Sequence, residues 1–346
     1  MKTSQQNLIN TRYSSIDFIK GISILFVIIT HYAWQDTERR NLLFPLWIDM
    51  AVPIFMIVSG FVHTRSYQKS NIDTIDKAYT VGSIARKVFK YTFPFVIAFL
   101  IGEIMFALFD SSRRTFWETI FLFLCGGAGP GGYYYPIMMQ FIFFFPVIYA
   151  IVRKYDFKGL VVCGVINFLY ELLKSAYGMT EGFYRLVIFR YTLLIAYGCY
   201  LGMGNYIRHK LYSVLCSVLG ALYIVVTKYF NVVPPITNYW TGTSLWACLF
   251  IIPLAKPIIL NKCHNCVIES LGRASYHIFL VQMIYYSGAS MIYNLIPNRY
   301  MQLVVNVVVC VVGGLLFFYI ETCVSKKILK KLSALWCTYQ KARNTS

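Results

Sequence analysis

Apolar runs of about twenty residues follow one another along almost the whole chain, separated by short clusters of charge, glycine and proline. A helix of that length crosses a hydrocarbon core of roughly 30 Å, so each run predicts one membrane span. The runs cover residues 14 to 34, 45 to 64, 89 to 109, 133 to 152, 158 to 176, 184 to 204, 211 to 230, 241 to 260, 274 to 295 and 301 to 321. The predicted fold is therefore all-α, a polytopic membrane bundle of about ten helices. Its parts are a cytoplasmic N-terminus over 1 to 13, a transmembrane domain over 14 to 321 and a basic cytoplasmic tail over 322 to 346.

Between the third and fourth runs the pattern fails. DSSRRTFWETIFLFLCGGAGPGGY holds an apolar stretch too short to span, then glycines and Pro130 that stop a helix. An external loop with an interfacial or re-entrant piece, lying over the mouth of the bundle, is expected there. No internal repeat is visible, which weighs against transporter architectures built from inverted halves.

Composition agrees with a membrane chain. Of 346 residues, 58% are hydrophobic and only 13% charged, against about 25% charged in soluble domains. The net charge of +18 would suggest nucleic acid in a soluble protein. Here the basic residues lie between the runs, which argues for topology and anionic headgroups and against nucleic acid. With the N-terminus inside, twenty-one Lys and Arg fall in inner segments and eight in outer ones, so both termini are predicted cytoplasmic. The polar N-terminus precedes a first run without a cleavage site, and a retained signal-anchor helix is expected.

The ten cysteines show no disulfide framework, and most sit in apolar runs as small hydrophobes. Cys263 and Cys266 flank His264 with the spacing of half a zinc site. No second pair stands nearby, and no metal is expected.

The first run, DFIKGISILFVIITHY, carries a carboxylate, an ammonium and an imidazole. Lys20 and His31 are eleven residues apart, close to three turns, so they share a face about 16 Å apart along the axis. Asp17 lies one turn before Lys20 on that face. Ionisable groups inside a membrane usually face a cavity and act there. Imidazole is the natural base for activating a hydroxyl near neutrality, so His31 and Asp17 are the candidate catalytic residues. No serine in a nucleophile-elbow context and no cysteine adjoins His31, which favours a general base over a stable acyl-enzyme.

Further motifs follow in order: VPIFMIVSGFV in the second run with Ser59, ARKVFKYTFP with Arg86, Lys87 and Lys90, GPGGYYYPIMMQFIFFFP with Gln140, and LGRASYHIFLVQM with Tyr276 and Gln282. Together with Asp17, Lys20, Gly21 and His31 they resemble the acyltransferase family 3 proteins, integral-membrane enzymes that O-acylate surface sugars. In that family a first-helix Arg precedes His by eleven positions. Lys20 stands in the Arg position, keeping a cation but losing the bidentate fork, and Gln282 stands where many members carry His.

The resemblance implies an acyl-CoA donor, usually acetyl-CoA, reaching the protein from the cytoplasm, and a saccharide hydroxyl as acceptor on the outer side or on a lipid carrier. It implies no permanently bound cofactor, a multi-pass protein of a bacterial plasma (inner) membrane surrounded by lipid, and the family's core alone, since the chain ends about 25 residues past its last run. Lys20, Arg86, Lys87 and Lys90, with Arg273 nearby, are the expected donor-phosphate contacts. Ser59, Gln140, Tyr276, Gln282, Glu103 and Glu171 are the further pocket candidates. Two other readings use the same polar spans: a transporter or flippase of a polysaccharide precursor, and a non-catalytic assembly protein. The second leaves the charged stripe of the first run unexplained.

Overall fold

The computed structural model describes residues 14–109, 114–205, 210–232, 245–260 and 264–344, and among them every regular element is helical. The first helix, α1 (Ser14–Thr30), is followed by α2 (Asp36–Asn41) and two 3-10 turns that lead into α3 (Ala51–Lys69). Next come α4 (Ile75–Ala78), α5 (Val81–Phe109), α6 (Phe116–Leu124), α7 (Tyr134–Tyr155) and α8 (Phe157–Ala176). The remainder is α9 (Glu181–Leu186), α10 (Thr192–Gly202), α11 (Lys210–Lys228), α12 (Leu245–Leu260), α13 (Cys266–Arg273), α14 (Ser275–Tyr293) and α15 (Arg299–Asn344).

Five segments among the described residues are long and apolar enough to cross a membrane: Phe44–Lys69, Val81–Leu108, Tyr134–Tyr155, Phe157–Ala176 and Arg299–Ile328. Shorter apolar helices accompany them, Val214–Lys228 and Ala247–Lys256, beside the 17-residue α1. Leu100, Ile104 and Leu108 on α5, and Val304, Val308 and Val312 on α15, are exposed at helical spacing. Such stripes have lipid as their solvent. The molecule is a helical membrane protein.

Three expectations shift. The run 184 to 204 is not one helix: α9 ends at Leu186, Val187 is extended, a 3-10 turn covers Ile188–Tyr191, and α10 has only 11 residues. Gln140 of α7 bridges the break, its Nε2 donating to Leu186 O (2.6 Å) and its Oε1 accepting from Ile188 N (3.0 Å). An amide replaces the two backbone bonds that a break in a membrane would leave unmade. The helix of the third predicted span, α5, starts earlier than its apolar run, at Val81, because Arg86, Lys87 and Lys90 are good helix formers and ride on its first turns. The last helix does not stop at 321 but runs 46 residues, about 69 Å, so one rod joins the last span to the basic tail.

The bundle has two cores. One packs α3, α7, α8, α10 and α12 around residues such as Phe61, Phe141 and Leu194, and the other packs α5, α14 and α15 against the C-terminal half of α1. Within each, some helices touch backbone to backbone. A Cβ on Gly21 would strike the Ile268 carbonyl and one on Gly272 the Asp17 carbonyl, locking α13 to α1. Gly60 and Gly198 fit α3 to α10 in the same way, the small-residue packing common in membranes.

At the His31 end of the bundle Arg299, opening α15, grips the loop after α1. Its guanidinium donates to both oxygens of Glu38 (2.8 and 3.1 Å) and to Ala33 O (2.8 Å). The Gln35 backbone N–H, with Arg299 adding to it, holds the Glu38 carboxyl below the usual carboxylate range.

Candidate functional site

A cavity of about 490 Å³ lies between the two cores and is walled by α1, α3, α5, α14, α15 and the start of α7. Lys20, Arg86, Lys90, Arg273 and Lys326 line it together with a single carboxylate, Glu321. His31 lines it as well, eleven residues beyond Lys20 and about 16 Å further along the axis of α1. The stripe read from the first run is therefore one wall of a cavity that is cationic at the Lys20 level and holds an imidazole at the other end.

His31 sits one residue past the end of α1, where helix carbonyls lack partners. Ile28 O and Ile29 O accept only long bonds from His31 N (3.3 Å) and Tyr32 N (3.2 Å), and three side chains complete the end: Trp34 Nε1 donates to Ile29 O (2.7 Å), Tyr286 OH to Ile28 O (2.9 Å) and Arg39 Nη1 to Thr30 O (3.1 Å). Arg39 is itself held by Asp49 at 2.7 Å. A cation at the C-terminus of a helix also complements its dipole. The backbone that carries His31 is thus fixed from α2, α14 and the turn before α3.

The ring is fixed too. Gln282 of α14, fully buried, sets its amide Nε2 2.9 Å from His31 Nδ1. The glycine loop before α7 lies on the other side: Gly131 has φ +85°, and a Cβ there would stand 3.5 Å from His31 Cε1. The loop expected over the mouth of the bundle reaches the imidazole itself.

The other candidates divide. Ser59 and Tyr276 line the cavity. The Tyr276 hydroxyl donates to Tyr91 O at 2.9 Å, so its proton is already engaged. Asp17 pairs with Lys20 at 3.3 Å but is fourteen residues from His31, about 21 Å along the helix; it supports the cation and not the imidazole. Lys87 turns away, its Nζ donating to Tyr67 OH at 3.1 Å. Gln140 is spent on the helix break. Glu171 accepts from Tyr184 OH (2.7 Å) and from Leu245 N (3.3 Å) inside the first core. Glu103 pairs with Arg114 at 2.5 Å in a second cavity.

Three lining residues were missed by the sequence reading. His63 lines the cavity, its Nδ1 2.9 Å from Ser59 O. A carbonyl only accepts, so Nδ1 carries the proton. His277 Nε2 lies 3.1 Å from Glu321 Oε2, and the other Glu321 oxygen accepts from Ser325. An ionisable side chain in an otherwise apolar span is the signal that His63, His277 and Glu321 share with His31, and only the motif spacing singled out His31. Thr322, Ser325 and Lys326, assigned from the sequence to the tail, also line the cavity.

Cys263 lies outside the described residues. His264 meets Ser14 (2.5 Å) and Glu269 (3.4 Å), and among the described residues no cluster could hold a metal ion.

The comparisons with known proteins bear on this geometry. A family model for the acyltransferase domain of acyltransferase 3 proteins matches residues 13–321, and the chain belongs to that family. Neither the curated proteins nor the solved structures compared with it gave a match. Family and fold together make it a membrane acyltransferase.

Proposed function

We propose that the protein moves an acyl group, acetyl in the first instance, from cytoplasmic acyl-CoA to a hydroxyl of a cell-surface or lipid-linked saccharide. It works in the plasma (inner) membrane of a bacterium, with about ten crossings and both termini inside. The observation that carries the reading is the single cavity with five cations and His31 along its walls. Coenzyme A has the matching polarity: phosphates at one end, a long and mostly neutral arm, and the thioester at the other. The cations attract the phosphates, and the arm extends along α1 toward His31.

The chemistry needs one base. His31 takes the proton from the acceptor O–H as the oxygen attacks the thioester carbonyl. The tetrahedral intermediate then collapses, the C–S bond breaks, and the imidazolium returns its proton to the leaving thiolate. For this, His31 Nε2 must be bare and Nδ1 must carry hydrogen. That pairing calls for the Gln282 amide with its oxygen toward the ring, a half-turn that exchanges two nearly isosteric ends and gives a partner to the oxygen that otherwise has none. The ester product, the free thiol and the regenerated imidazole balance the step.

Mass spectrometry of surface glycans from cells with and without the gene tests the reading. An acyl group present only with the gene is expected. Identical glycans, together with no binding of acetyl-CoA by the purified protein, would overturn it.

A further inference from the structure

The cavity with five cations along its walls also holds one carboxylate, Glu321 of α15, and a carboxylate repels the phosphates that the cations attract. Glu321 is fixed from two sides. Its Oε2 lies 3.1 Å from His277 Nε2 on α14, and its Oε1 accepts from Ser325 Oγ one turn further along α15. A carboxylate only accepts, so His277 carries its proton on Nε2. Both partners are buried, His277 at 8% and Glu321 at 9% exposure. Phe317 and Phe318 stand edge-on to the imidazole at 5.1 and 5.2 Å, and its Nδ1 is buried with no hydrogen-bond partner among the described residues. The chemistry at His31 uses none of these groups.

A buried carboxylate keeps its charge while opposite charge stands close, and the walls around the pair supply that charge. Lys90 of α5 acts through space on both His277 and Glu321. Lys326 follows Ser325 on α15, Arg86 lies one turn before Lys90 on α5, and Arg273 comes from α13. Lys20 faces in from α1 with Asp17 paired to it at 3.3 Å. The remaining titratable groups along this part of the wall are His63 of α3, Tyr91 of α5 and Tyr276 of α14, whose hydroxyl is given to Tyr91 O. Phosphates that enter neutralise the cations and bring further negative charge toward Glu321. Like charges gathered in one site do not all stay ionised. With a neutral imidazole and an ionised carboxylate the pair carries one negative charge; one proton more, held by the pair as a unit, brings it to zero.

We infer that Glu321 is a further determinant of donor binding: its carboxylate opposes the phosphate end of the donor, and the donor seats as the His277–Glu321 pair takes up one proton from solvent. Donor affinity therefore falls as pH rises, because a proton taken up on binding becomes scarcer. The inference rests on the acyl-CoA reading above and adds to it a residue that works against the cations.

The test is calorimetric titration of the full-length protein, in phosphatidylcholine nanodiscs, with acetyl-dephospho-CoA. That probe lacks the phosphate monoester of acetyl-CoA, so its phosphates stay ionised across the neutral range and exchange no protons themselves. Runs in two phosphate-free buffers of different ionisation enthalpy count the protons exchanged. Wild-type protein should take up between about a half and one proton per site near neutrality, and its affinity should fall by up to about tenfold per pH unit. Glu321→Gln keeps an acceptor for Ser325 and His277; it should take up no proton, show no such slope and bind at least as tightly as wild type at the alkaline end. His63→Gln should keep the uptake, which separates the pair from the other imidazole at this end. No uptake by wild-type protein, uptake that persists in Glu321→Gln, or loss of binding by Glu321→Gln protein with a wild-type unfolding midpoint would overturn the inference, and the wild-type count decides it without any variant. If wild-type protein binds neither acetyl-dephospho-CoA nor acetyl-CoA, the acyl-CoA reading falls and the inference with it; binding without proton uptake removes the inference alone.

Discussion

The amide of Gln282 touches His31 at 2.9 Å and is closed off from solvent, so its loss cannot be made good by water. Gln282→Leu should reduce kcat for transfer about tenfold, as expected for one hydrogen bond to the base, and leave the KM for acyl-CoA unchanged. A steady-state comparison of the two constants checks this. At the opposite end, Lys20→Arg should keep or improve donor binding, since the fork suits phosphate better. Lys20→Met should weaken binding, most of all at low ionic strength, because salt screens the charge it removes; acetyl-CoA titrations at two salt concentrations measure the difference. His31 and Lys20 were legible in the sequence because one helix fixes their spacing. The Gln282 amide on its ring, Gly131 beside it and the Arg39–Asp49 pair on the Thr30 carbonyl were not, because they join residues up to about 250 positions apart. Asp17 shares the face of His31 but stands about 21 Å from it along the helix, paired with Lys20 at 3.3 Å.

Among the elements, the long apolar helices were readable from hydropathy, and the short or broken ones were not. A run such as 184 to 204 is apolar enough for a span, yet it contains Arg190, fully buried and stacked over Tyr184 and Tyr191 at 4.8 and 4.7 Å. Nothing in the run itself states that Gln140 will bridge its backbone. Gln140→Leu strips partners from Leu186 O and Ile188 N and should destabilise the protein by about 2 to 4 kcal/mol, measured by denaturant unfolding in detergent. The α1–α13 contact makes a second prediction. Gly272→Val forces a side chain into the Asp17 carbonyl and should cost about 1 to 3 kcal/mol as an overpacked site, whereas Gly82→Ala, on an open face, should unfold at the wild-type midpoint or above it. The α13 helix was hidden in the sequence because its 8 residues fell in a stretch read as a connecting loop.

For the molecule as a whole, the arrangement is two cores with a cavity between them, cationic where both cores expose Lys and Arg and holding an imidazole at its far end. Arg86, Lys90, Arg273 and Lys326, counted among the basic residues of the predicted inner segments, all line the cavity, so under the proposed function the same cations would serve topology and donor binding together. The central claim, transfer of an acyl group from the cytoplasmic face by His31, is tested most directly in sealed membrane vesicles of known orientation given labelled acetyl-CoA. Inside-out vesicles with wild-type protein should pass label to membrane-bound saccharide, right-side-out vesicles should not, and His31→Ala should lower transfer at least about a hundredfold while still binding acetyl-CoA. Equal transfer by His31→Ala, or equal labelling from the outer face, would contradict the account.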